Sequence, residues 1–115
     1  DIEESIRLAH LVKNFGVEVM DVSSGGCVRH QQIPVMENYQ VPFAERIKNE
    51  TGIITGAVGL IKKATQAELI LNDKRADLIF IARGFLKNPH LAKQFAKDLA
   101  VDIKWPLQYD RAKEY

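Results

Sequence analysis

The order in which periodic segments follow one another constrains this chain more than any single motif. A helical pattern alternates with short apolar runs: helix, strand, helix, strand, helix, strand, helix. Such alternation predicts a parallel α/β sheet, because parallel neighbours need a crossover and a helix supplies it in a right-handed sense. Successive strand starts lie near the ~30 residues of one βαβ unit. Two architectures use such units, an open doubly wound sheet and a (β/α)8 barrel. No G-x-G-x-x-G follows the first strand, so the dinucleotide fingerprint of the first is missing. A whole barrel takes ~250 residues, so the 115 residues here would form only its C-terminal portion.

Residues 1–15 carry Ile2, Ile6, Ala9 and Leu8, Leu11, Val12, Phe15 at three- and four-residue spacing, which predicts an amphipathic helix. Asp1 and Glu4 have the spacing of an N-terminal capping pair, and Gly16 is placed as the stop. Residues 17–22 read as a strand, Ser23-Ser24-Gly25-Gly26 as a loop, and 27–40 as the longest stretch without a period. Pro42 opens a helix through about Asn49, with Phe43, Ala44 and Ile47 inward and Thr51-Gly52 ending it. Ile53 to Val58 form the second strand, closed by Gly59. Thr65-x-x-Glu68 reads as a capping box for a short helix ending at Asn72-Asp73. Ala76 to Ala82 is apolar nearly throughout, as expected of a strand buried on both faces. Asn88-Pro89 caps a last helix with Leu91, Ala92, Phe95, Ala96 and Leu99 on one side. Residues 101–115 are an irregular tail holding Trp105, Pro106, Tyr109 and Arg111, expected to cover the barrel's outside or to reach a neighbouring subunit, the plainer alternative being a frayed end.

Composition narrows the function classes. Lys+Arg number 16 against 15 Asp+Glu, a balance that argues against a broad nucleic-acid footprint. No apolar run approaches the length of a membrane span, and no secretion signal is visible. One cysteine, Cys27, excludes an internal disulfide framework, so a cytoplasmic setting is expected. With 46% hydrophobic residues the chain can bury one modest core, so a single unit over 1–115 is expected. It opens at Asp1 directly into a helical pattern, which suggests a processed chain or a piece of a longer protein.

The strongest local signal is a pair of strand ends. Thr55-Gly56-Ala57-Val58-Gly59 closes one strand and Ile81-Ala82-Arg83-Gly84 the next. Small residues let backbone amides approach a ligand, and two adjacent corners of this kind make a concave anion site. In barrels, phosphate commonly sits at the loops after the last two strands. Arg83 would add a charged, forked donor. The plainer alternative is two tight turns with Arg83 solvated. Ser23 and Ser24 also lie beyond a strand end, on the ligand side of an α/β sheet, as cofactor contacts or as ordinary loop residues. His10, His30 and His90 share no metal-ligand spacing, so no metal is expected. Cys27 has no acid–base partner nearby in sequence, and Asp21 and Asp77 are read as structural. No catalytic set emerges.

Five segments, in order and spread over most of the chain, resemble the Old Yellow Enzyme family of flavin oxidoreductases. They are Asp21-Val22-Ser23-Ser24-Gly25, Tyr39 to Ala44, Thr55 to Gly59, Arg75 to Arg83 and Gln108-Tyr109-Asp110-Arg111. The resemblance is strongest to its bacterial NADPH dehydrogenase branch, the thermophilic-like ene-reductases. It implies a parent (β/α)8 barrel of which these three strands are the sixth, seventh and eighth, with FMN at the C-terminal mouth and NAD(P)H as electron donor. It further implies that Gly59, Ala82 and Arg83 hold the FMN phosphate. Arg111 would reach a partner subunit's site from a tail fixed by Tyr109, in a homo-oligomer. Many members have Gly where this chain has Ala82; Ala keeps the amide. The family's residues for hydride chemistry have no counterpart in this sequence, and Cys27 falls in the wrong segment to be its flavin-tuning cysteine. The implied function is therefore part of an FMN-dependent oxidoreductase that passes hydride from NAD(P)H to an activated alkene. The competing readings are a non-catalytic α/β assembly module and a piece of another phosphate-binding barrel enzyme.

Overall fold

The computed structural model describes residues 1–113. Three parallel strands alternate with helices: α1 (Ile2–Asn14), β1 (Val19–Val22), α2 (Val41–Thr51), β2 (Ile54–Val58), α3 (Ala64–Asn72), β3 (Leu78–Phe80), α4 (Arg83–Lys87) and α5 (Leu91–Asp98). A 3-10 helix, Leu107–Ala112, ends the described chain. The sheet order is β1-β2-β3, with Val22 beside Ala57 and Val58 beside Phe80.

Helix α1 starts where its sequence says. The Glu4 amide donates to the Asp1 carboxylate at 2.9 Å, and the Glu4 carboxylate accepts from the chain's amino terminus at 2.6 Å. Its inward face is narrower than the apolar spacing suggests: Ile6 and Ala9 are buried, while Leu8, Leu11 and Phe15 are exposed. Gly16 follows with φ +91°, a left-handed stop. Helix α2 has Pro42 in its first turn and ends on Gly52 at φ +66°.

Helix α3 departs from expectation. Its N-cap is Lys63, so the third helical residue is Gln66, and Thr65 and Glu68 form no capping box. Instead the Gln66 Oε1 accepts from the Lys62 amide at 2.9 Å, while its Nε2 donates to the Asn38 side chain and the Leu60 carbonyl. The short helix α4 was not legible, since five residues are too few for a period. Before α5, Asn88 accepts from the His90 amide at 3.0 Å, so Asn88 shapes the turn and His90 is the N-cap.

The core lies on one face of the sheet. Met20 and Val22 of β1, Ala57 of β2 and Ile79 of β3 point into a cluster with Ile6, Ala9, Val41, Ala44, Ile47 and Ile70. Side chains alternate across a strand, so Val19, Ile54 and Leu78 point the other way, and each remains about 40% exposed (42%, 45% and 41%). Strand β3 is therefore an edge strand with one covered face, and the expectation of burial on both faces fails.

Asp77 pins the start of β3 to β2 and α2. Its carboxylate accepts from Lys48 Nζ at 2.7 Å and from the Thr55 amide at 3.0 Å. Burial pushes this carboxyl up, but the Lys48 hydrogen bond, the Thr55 amide and the Lys48 charge together outweigh it and hold the group below the usual Asp range.

Candidate functional site

All three strands run the same way, so their C-terminal ends share one edge of the sheet. Val58 and Phe80 are register partners, and neighbouring strands stand ~5 Å apart. Gly59 follows Val58 immediately; Ala82 follows Phe80 by two residues. The two corners singled out in the sequence are therefore side by side.

Gly59 has φ +105°, and a Cβ there would stand 2.5 Å from Gln40 Nε2 and 2.7 Å from Tyr39 Cε1. Backbone conformation and packing both demand glycine. At the β3 corner, Ala82 is the N-cap of α4 and Arg83 its first residue. The leading amides of a helix have no partner within it and carry its positive end. Arg83 is exposed.

The β1 corner is tied to this group by a residue not singled out as a site. Gln40 is 4% exposed. Its Oε1 accepts from the Ser24 amide and lies 3.3 Å from the Ser24 hydroxyl, while its Nε2 donates to the Val58 carbonyl at 3.0 Å. Ser24 is thereby fixed, and Ser23 stays exposed at the end of β1. The only signal in the sequence was a glutamine beside the start of a helix, which does not distinguish a buried strut from a surface residue.

Among the described residues no hydrogen bond or ion pair joins Arg111 to these corners. Arg111 lies in the terminal 3-10 helix, whose segment packs on α5: Lys93 Nζ stands 4.1 Å from the Trp105 ring centre and 4.5 Å from that of Tyr109, and His90 meets Tyr109 edge-on. The tail is thus anchored, with Tyr109 in the fixing position. Cys27 is exposed, as are His10, His30 and His90. Among the described residues no three His, Cys, Asp or Glu side chains gather as a metal site. No helix there is long and apolar enough to cross a membrane.

Residues 1–102 match the NADH:flavin oxidoreductase / NADH oxidase family. The chain is 51% identical over 112 residues to an NADPH dehydrogenase of Bacillus pumilus, covering 97% of this chain and 33% of that protein. It is 50% identical to the NADPH dehydrogenase of Bacillus velezensis and 48% identical to that of Halalkalibacterium halodurans, each over the same shares. The chain spans about a third of the length of these curated relatives. An α/β chain with parallel strands, matched over most of its length by one family, is thereby placed: it belongs to the NADH:flavin oxidoreductase / NADH oxidase family.

Proposed function

We propose that this chain contributes the phosphate-holding end of an FMN site to an NAD(P)H-dependent flavin oxidoreductase of the ene-reductase type. The observation that carries this reading is the pairing of Val58 with Phe80, which sets Gly59 beside the Ala82-Arg83 helix start. Backbone amides at both corners and the Arg83 guanidinium would hold the phosphate. The residues fit such a group: the Cβ side of Gly59 is filled by Tyr39 and Gln40, so the corner offers peptide rather than side chain. When bound, FMN supplies the hydride chemistry, from the nicotinamide to the β-carbon of an activated alkene. This chain binds and orients; it carries no catalytic residue of its own. Ser23 lies at the same edge as a further contact, and Arg111 is offered to the site of a neighbouring copy from the anchored tail.

The one-sided core supports a barrel for the parent. A doubly wound sheet carries helices on both faces, whereas a barrel carries them outside only and fills its interior from the remaining strands. Here the core cluster takes Met20, Val22, Ala57 and Ile79 from one face.

FMN titrated into the chain, followed by amide chemical shifts, tests the phosphate reading. Gly59, Ala82 and Arg83 are expected to move together with FMN and to stay still with riboflavin, which lacks the phosphate. Equal responses to both would sink it. Steady NAD(P)H oxidation with an enone by this chain alone is not expected.

The bare apolar sheet face supports a second reading, an α/β assembly module that associates through that face. The two readings are compatible in a homo-oligomer.

A further inference from the structure

We propose that Gln40 is a positioning residue: its buried carboxamide joins the β1 and β2 corners into one rigid unit and so sets the backbone geometry of Gly59. The inference deepens the FMN reading and rests on it only for the ligand, since the strut itself is built from this chain's own atoms.

A carboxamide has an acceptor end and a donor end, and here each is used on a different strand. The oxygen takes the amide of Ser24, two residues beyond β1; the nitrogen gives its proton to the carbonyl of Val58, the last residue of β2. Neither backbone group is part of the β1–β2 ladder, which ends with Val22 beside Ala57. Gln40 thus extends the strand pairing past the point where the backbones part. The same Nε2 would be 2.5 Å from a Cβ on Gly59. The side chain therefore supports the corner from beneath as well as bonding the residue before it. Gln40 itself is held at the N-cap of α2, next to buried Val41. Among the described residues the corner at Ala82-Arg83 has no corresponding strut, and α4 begins there directly. Its geometry is set by the helix, whereas that of Gly59 depends on a side chain from the long loop.

Amide hydrogen exchange on the 115-residue chain tests this. The Ser24 amide, although in a loop, is expected to be protected in the native chain; free exchange there would overturn the strut. In Gln40→Met, Ser24 should exchange about tenfold faster, the loss of one net hydrogen bond, and the Gly59 amide shift should move. Thr55 and Asp77, at the other end of the strands, should keep their protection. Acceleration at all of these positions alike would mark Gln40 as merely structural and overturn the positioning role. Should Gln40→Met fail to fold, Gln40→Glu retains the acceptor and loses the donor in its ionised form. Ser24 is then expected to stay protected while the Gly59 shift changes; an unchanged Gly59 would overturn the proposal. Inorganic phosphate separates this claim from the one beneath it. If Gly59, Ala82 and Arg83 respond in the native chain, the variant should lose the Gly59 response alone, and a retained one would overturn the proposal. If none responds, the anion site fails while the exchange measurements still decide the strut.

Discussion

Asp77 and Thr55 hold each other twice: the Asp77 amide donates to the Thr55 carbonyl at 2.9 Å, and the Thr55 amide donates to the Asp77 carboxylate at 3.0 Å. Residues before the first paired position of β3 thereby fix its register on β2. That register brings Val58 opposite Phe80 and the two corners together.

Removing the carboxylate should loosen this start. Asp77→Ala leaves the Thr55 amide and Lys48 without their acceptor, and about 1–3 kcal/mol of stability should be lost. Urea unfolding of the two proteins checks the size. An unchanged midpoint would remove Asp77 from the account of register.

The same group predicts an acid response. Its folded-state pKa lies below its unfolded value, so its stabilisation is present above the ordinary Asp range and fades as pH falls through the lowered folded value. The stability gap between the native chain and Asp77→Asn should therefore be constant near neutrality and close in acid, below about pH 4. A gap that widens on acidification would contradict the sign.

Gly59→Ala should cost about 1–3 kcal/mol, from a left-handed backbone carrying a side chain and from crowding against Gln40 and Tyr39. Thermal unfolding measures it. A neutral substitution would show that the corner relaxes freely, and the case for a preset phosphate cradle would weaken with it.

Arg83→Gln should weaken FMN binding by about ten- to a hundredfold, the range for a hydrogen bond to a charged group. Stability should stay unchanged, because Arg83 is exposed. Isothermal titration and an unfolding curve give both values. Equal FMN affinity in the two proteins would take Arg83 out of the site.

The tail offers a clean optical test, since Trp105 is the single tryptophan. Lys93→Ala removes the cation over its ring and that of Tyr109, a contact worth about 0.5–1 kcal/mol at exposed sites. The emission of Trp105 should shift to the red as the segment loosens. An unmoved spectrum would mean that Lys93 does not anchor the tail.

Much of the fold was legible because it is local. The Asp1–Glu4 cap, the left-handed stop at Gly52 and the alternation of helix with strand depend on neighbours a few residues apart, and the chain's order alone made the sheet parallel. The misses have a common cause. Thr65 and Glu68 have capping spacing, yet the helix starts two residues earlier than that box needs, where Gln66 serves Lys62 and Leu60. Leu8 and Leu11 sit at helical spacing, yet α2 covers only the Ile6 and Ala9 side. Helical spacing does not say which apolar stripe finds a partner.

For the site, the sequence by itself determined the chemistry available at each corner: a glycine closing β2, and a small residue followed by an arginine after β3. Only the tertiary structure decided that the corners are neighbours, that Gln40 braces one of them, and that Trp105 and Tyr109 of the terminal segment meet Lys93 of α5. The physical reason is separation along the chain. Hydrogen bonds such as Gln40 to Val58 and Asp77 to Thr55 span about twenty residues (18 and 22), and a pattern read in windows of a few residues cannot pair groups that meet only when the strands do.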